Sequence, residues 1–356
     1  MPGYGPDMIL SDMIQLFDRS STTLTQTEQG ALLRRIELAR NNVFNESIWG
    51  KTDKVVGIFR DMRGSTKPIP QGILLRAIPD EHDGGRCYPL VYAMSVALTW
   101  SEFAIDQLCA KLVALSPSKE SVMESAAMFK CCLEDLHTSY LAAEVSKPIG
   151  HMKFEDAIGI LMNSTDTTMI AMHTEVHSML LGVTRKGNST GWYFYDPNFA
   201  GATFTSGNAL LEATNKFFQR FAVVYEAKME GERPAFDLFQ IDADKVSRIG
   251  SDYNLTVADL VNPETLLETV ASDQKMGTFL RDAAQLTGSA AFSAQAELLE
   301  ALSLAEAAWR DATARLEETT ALGEHWMPIL ETMREGSETG SYEVQFINLK
   351  NKTLKN

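Results

Sequence analysis

Cysteine is scarce in this sequence: its 356 residues hold only Cys87, Cys109, Cys131 and Cys132. Two of the four are adjacent, and a chain this long with so few thiols has no disulfide framework. Such usage fits a reducing compartment, where a single thiol can stay reactive. Basic residues are also short, 32 Lys and Arg against 47 Asp and Glu, for a formal net charge of -15. That balance repels phosphate backbones and anionic membrane surfaces, so nucleic acid is not an expected partner. Long apolar runs are missing too. The longest, from Tyr88 to Trp100, includes Ser95 and Thr99 and falls well short of the ~20 residues a membrane-spanning helix needs. Met1 to Ser11 lack the charged start and apolar stretch of a signal peptide, and Met1-Pro2-Gly3 is not a myristoylation start. No glycine loop matches a phosphate-binding or dinucleotide fingerprint. His173 and His177 are spaced like a helical metal pair, but in strand-like sequence four residues span ~13 Å. Cys131, Cys132 and His137 do not converge on one helix face either, so neither metal nor cofactor is expected.

What is present suits a packed protein, 45% hydrophobic and 22% charged. Residues 7–18 and 25–46 read as amphipathic helices, the second opening with Thr25 and Glu28 at capping-box spacing. A short strand is expected at 54–60 and a breaker-rich connection at 64–72. A long helix follows from about Tyr88 to Leu115, with Pro89 in its first turn, then another from Lys119 to Glu144. After His151 the character changes. Strand-like runs appear at Thr167–His173, His177–Thr184, Trp192–Tyr195 and Ala202–Thr205, then a helix at Asn208–Phe221 and strands at 222–227 and 236–241. From about 260 the chain is helical again, opening at Asn262-Pro263-Glu264. There Leu298, Leu302, Ala305, Trp309, Ala312 and Leu316 form a stripe expected to pack within its own bundle. Residues 341–348 read as a last strand and 350–356 as a basic tail. Helices, then sheet, then helices make an α+β chain.

Thiols act as nucleophiles in their thiolate form, which a helix N-terminus and a neighbouring imidazolium both favour. Cys87 is the one cysteine at a helix start: it follows Gly84-Gly85-Arg86 and precedes Pro89 and the apolar helix. Free N–H groups at such a start can also hold an oxyanion. The other three cysteines fall in helix interiors, where a thiol is inert packing. His177 opens one strand and Asp196 closes the returning one. A hairpin turning between Lys186 and Gly187 sets the two opposite each other. If the turn centres on Ser189 instead, neither His173 nor His177 pairs with Asp196 without a bulge. The register favours His177. Asn41, Asn42, Asn45 and Gln71 are candidates for an amide that completes the oxyanion site, and Arg86 either supports the thiolate or pairs with Asp80, Glu81 or Asp83.

Gly84-Gly85-Arg86-Cys87-Tyr88-Pro89-Leu90, then His177 leading a strand, then Trp192-Tyr193-Phe194-Tyr195-Asp196-Pro197-Asn198-Phe199, resemble YopT-type cysteine peptidases of bacterial effectors. The triplet Arg86-Cys87-Tyr88 further resembles the "makes caterpillars floppy" effector domains of multifunctional-autoprocessing RTX toxins. The resemblance implies a papain-like core of helices plus antiparallel sheet, with Cys87, His177 and Asp196 as the catalytic triad. It implies a domain secreted within a larger bacterial toxin and working in the host cytosol, at Golgi or endomembranes. The implied partners are a host ADP-ribosylation factor as activator, followed by self-cleavage near the N-terminus, and host Rab- or Rho-type GTPases as substrates. On this reading residues 1–60 form an N-terminal helical segment with the self-cleavage region, and 61–245 the catalytic core. Residues 246–340 form a C-terminal helical region and 341–356 a strand and tail. The same triad also serves acyltransferases, transglutaminases and deamidases through a thioester. A non-catalytic module that binds a host GTPase through its helices is the alternative of another class.

Overall fold

The computed structural model describes residues 13–15, 17, 24–74, 86–115, 145–250, 256–262 and 269–335. The helix expected at 119–144 with Cys131, Cys132 and His137, the strand at 341–348, the 350–356 tail and most of 1–24 lie outside them. The described chain is α+β, helices combined with one antiparallel sheet.

Helix α1, Gln26–Asp61, starts at a complete capping box: Glu28 N–H donates to Thr25 Oγ1 at 3.3 Å, and Thr25 N–H donates to Glu28 Oε2 at 3.0 Å. It runs through 54–60, where a strand was expected. Val55, Val56 and Phe59 are all buried on one helical face, so the apolar run fits a period near four as well as a period of two. A helix already propagating extends at little cost, and it stops only at Arg63, whose φ is 60°. The breaker-rich segment holds strand β1, Ser65–Pro68, and the short helix α2, Gln71–Leu74. Pro68 ends β1 at the sheet edge, where a missing N–H is tolerated. The expected helix at 88–115 is two, α3 (Cys87–Trp100) and α4 (Glu102–Leu115). Ser101 breaks them with extended backbone, and its Oγ accepts from Ala104 N–H at 3.0 Å.

The sheet has β2 (Ser146–Lys153), β3 (Thr168–His173), β4 (Ser178–Lys186), β5 (Ser189–Asp196), β6 (Ala200–Phe204), β7 (Lys228–Glu230) and β8 (Arg233–Ile241) besides β1. Its order is β1-β6-β5-β4-β3-β8-β2, with β7 beside β8. Edge strand β2 had no sequence signal, because it is polar and interrupted by Pro148 and Gly150, where its register shifts. Helix α5, Phe154–Asn163, follows it, and α6, Gly207–Phe221, follows β6. Residues 222–225, expected as strand, are a 3-10 turn. Short helices α7 (Ala243–Ser247) and α8 (Val257–Val261) precede α9 (Thr269–Thr287) and α10 (Ala290–Glu335).

Two compact units divide the chain. Met1–Glu300 holds the sheet, a large buried core reaching from Trp49 to Ala296, and a small separate cluster of Met13, Leu32 and Ile36. The other is Ala301–Asn356. Of the stripe expected to pack in a bundle, Leu298, Leu302, Ala305, Trp309 and Ala312 are exposed, and the Leu316 side chain lies outside the described residues. Among the described residues no helix is long and apolar enough to cross a membrane.

Candidate active site

Helix α3 packs against β4 and points its first turn at the turn between β3 and β4. Cys87 is its first residue and half-buried. Pro89 carries no N–H, so the donors that this first turn offers before Leu90 are those of Cys87 and Tyr88. Leu90 N–H already bonds Arg86 O at 3.1 Å. The helix start is anchored from outside by Gln71, whose Oε1 accepts from Arg86 N–H at 2.8 Å.

His177 is buried in the β3–β4 turn, held by its own N–H on Thr174 Oγ1 (3.0 Å) and by Thr174 N–H on its carbonyl (2.9 Å). Asp196, fully buried, ends β5. His177 Nε2 lies 2.8 Å from Asp196 Oδ1. With that nitrogen engaged, Nδ1 is the one left for Cys87, which lies close enough to His177 to raise its pKa. The structure thus brings Cys87, His177 and Asp196 together. They meet by a different register from the one expected. The hairpin turns on Gly187-Asn188, with Gly187 at φ 58°, and pairs Lys186 with Ser189 and Leu180 with Tyr195. Continued by one pair, that register sets Asp196 opposite Met179, so His177 reaches the carboxylate diagonally, two residues along.

Burial pulls the imidazolium of His177 down, but the charge and hydrogen bond of Asp196, then those of Cys87, outweigh it and hold the group up at about 9. The ring therefore carries its proton at neutral pH beside a thiol at a helix start. A nucleophile and a proton donor meet there at the start of a helix, which is the equipment for acyl transfer through a thioester.

Further residues complete the site. Asp196 Oδ1 also accepts from Asn198 N–H at 2.9 Å, and Oδ2 accepts a short hydrogen bond from the Tyr225 hydroxyl. The Tyr225 ring stacks on His177, centroids 4.4 Å apart and planes 10° from parallel. Burial, then the charge of Asp196, push the Tyr225 phenol well up, which keeps it a donor. The Asn198 amide bonds the Tyr225 hydroxyl, and its Oδ1 accepts from Gln71 Nε2 at 2.7 Å. Hydrogen bonds therefore run from Arg86 through Gln71 and Asn198 to Asp196, where Tyr225 and His177 join them. Of the four amide candidates only Gln71 takes part, while Asn41, Asn42 and Asn45 lie along α1. The acids proposed to pair with Arg86 lie outside the described residues. Tyr225 carried no sequence signal: it follows Asp196 by a strand and a helix, inside a run that reads as strand.

His173, the competing histidine, is nearby but differently used. Its Nδ1 lies 2.7 Å from Ser178 Oγ, its ring stacks on Tyr88 at 5.2 Å, and its Nε2 is buried with no hydrogen-bond partner. Burial pushes it down to about 4, against the pull of Asp237 and with the help of His177. It is neutral packing at neutral pH. Among the described residues no three or more His, Cys, Asp or Glu side chains are placed to hold a metal ion.

A family model described as the Mcf1 protease effector domain matches residues 1–272. No curated protein matches the chain significantly. Among solved structures, the chain is similar to PatoxP, a cysteine protease-like domain of the Photorhabdus asymbiotica toxin PaTox, at 17% identity and a TM-score of 0.48. The match covers 72% of this chain and 78% of that one.

Proposed function

This chain belongs to the Mcf1 protease effector domain family, and from that premise we propose that it is a toxin effector cysteine protease working through Cys87, His177 and Asp196. The observation that carries the reading is the buried His177–Asp196 pair, 2.8 Å apart, beside a cysteine at the first position of a helix that acts on its charge. In the reaction, Cys87 Sγ attacks a peptide carbonyl as the thiolate of a thiolate–imidazolium pair with His177, while the helix-start N–H groups take the developing oxyanion. A single such donor is worth about 10²–10³ in rate. Gln71 Nε2 joins them by turning from Asn198. The His177 imidazolium gives its proton to the leaving amine. It then takes one from the water that hydrolyses the thioester, whose thiolate leaves, and the thiolate–imidazolium pair is restored.

The activator we propose is a host ADP-ribosylation factor and the first substrate the chain itself, cut near its N-terminus. Host Rab- or Rho-type GTPases follow as substrates in the host cytosol. These proposals rest on the motif resemblance at Arg86-Cys87-Tyr88 and Asp196-Pro197-Asn198-Phe199. The test incubates the purified chain with and without a GTP-loaded ADP-ribosylation factor and reads new peptide N-termini by mass spectrometry. New N-termini that vanish in Cys87→Ala support protease action. Ammonia release or an isopeptide cross-link in their place identifies a deamidase or transglutaminase, and full cellular activity of Cys87→Ala would leave only a binding module.

A further inference from the structure

We infer that Val176, Val223 and Val224 form an apolar wall over the leaving-group side of the site, selecting substrates with bulky aliphatic residues just after the cut bond. The inference rests on the protease reading and adds its substrate class. His177 must protonate the departing amine, so the chain beyond the cut bond leaves across the imidazole, away from Cys87. The surface met there is set by two turns. In the 3-10 turn 222–225, three residues per turn put Ala222 and Tyr225 inward, 6% and 1% exposed, and leave Val223 and Val224 outward at 89% and 61%. Tyr225 is drawn in by its stack on His177 and its bond to Asp196, so the two valines stand beside the ring that donates the proton.

The turn is closed by Glu226 in the left-handed region, φ 51°, its N–H on Val223 O and the next N–H on Ala222 O. That is an unfavourable conformation for a non-glycine residue, and it fixes the outward direction of the pair. Val176, 54% exposed, immediately precedes His177 in the other turn. Lys228, at the start of β7 just past the first turn, pairs with Glu175 of the second at 3.2 Å, which sets the two turns side by side near the imidazole. β-Branched side chains have few rotamers to lose on contact, and exposed apolar residues gathered at one place mark a binding surface. Exposed Glu226 and paired Glu175 at its rim disfavour acidic residues in the same part of the substrate.

The test uses the full chain with a GTP-loaded ADP-ribosylation factor and a pool of proteome-derived peptides, sequencing the products. Val, Ile, Leu and Met are expected to be enriched in the first positions after the cut. For matched peptides bearing Leu or Gly there, kcat/KM should favour Leu by about tenfold or more. In Val223→Thr/Val224→Thr, which keeps side-chain shape and is checked for folding by its melting curve, that ratio should fall towards one. Cutting with a flat profile after the bond, or a ratio unchanged in the folded double variant, overturns this inference and leaves the protease reading standing. If no peptide is cut, and alkylation of Cys87 by iodoacetamide does not depend on His177, the protease reading falls and takes the wall with it.

Discussion

Tyr225 is the residue whose hydroxyl does most outside the three that meet at the site. It donates to a carboxylate with no exposure to water and holds one face of the imidazole. Tyr225→Phe keeps the stack but leaves Asp196 Oδ2 short of a donor. We expect a loss of about 1–3 kcal/mol in stability by urea titration, and a lower kcat with KM little changed. Loss in KM alone would argue that the hydroxyl meets substrate instead. The two histidines give a pH signature of opposite sign. His177 sits at about 9 when folded against an ordinary 6.5, so its contribution to stability is complete below 6.5 and lost as pH rises through 9. His173 sits at about 4, so its contribution is complete above 6.5 and lost as pH falls through 4. Urea midpoints should fall on both sides of neutrality. His177→Gln should flatten the alkaline limb and His173→Gln the acid one, and an unchanged slope in either would sink its assignment. Cys87, His177 and Asp196 each carried a local signal, namely a helix start, a strand start and a strand end. Tyr225 did not, because what recruits it is a buried carboxylate with spare acceptors, which exists only once the sheet has closed.

At the scale of elements, the short helix α8 depends on a side chain from elsewhere. Lys111, buried on α4, donates from Nζ to the carbonyls of Asp259 (3.1 Å), Leu260 (2.7 Å) and Asn262 (3.1 Å). One ammonium thus caps the C-terminal end of α8, where carbonyls have no partners within the helix. Burial lowers Lys111 to about 8 against the opposing charge of Asp259, and three donors in fixed use explain why it stays. Lys111→Met should cost about 2–3 kcal/mol and speed amide exchange in 256–262 first. Uniform acceleration across α4 and α8 would mean the lysine serves packing alone. The same scale shows where sequence patterns misled. Strands β3 to β6 were legible because alternation and turn residues agree. The runs at 54–60 and 222–227 were not, since a short apolar stretch fits either period and its neighbours decide. In the first case the run continues α1, and in the second Tyr225 packs inward on His177.

Across the molecule, the site rests on a core that the N-terminal helix ties to the helices after residue 260. Trp49 on α1 meets Phe279 of α9 edge-on at 4.8 Å and Phe292 of α10 at 5.2 Å. Ten residues along the same helix, Phe59 packs on Phe194 of β5 at 5.5 Å and on Phe217 of α6 at 5.8 Å. Strand β5 ends in Asp196, so one helix links the late helices to the strand that carries the carboxylate. Trp49→Ala removes the aromatic cluster at one end of that link and leaves the Phe59 contacts at the other. It should cost about 3–5 kcal/mol, since truncating a fully buried ring leaves a cavity its neighbours only partly fill. For a chain of this size the melting temperature should fall by about 4–7 °C. Because the His177–Asp196 pair is fixed locally by Tyr225, Asn198 and the β3–β4 turn, the rate of His177-dependent alkylation of Cys87 well below the melting temperature should stay within about twofold of the parent chain. A large drop there, with the fold still intact by circular dichroism, would show that the late helices set the geometry of the site as well as its stability. They would then be the first place to look for the surface through which an activator acts.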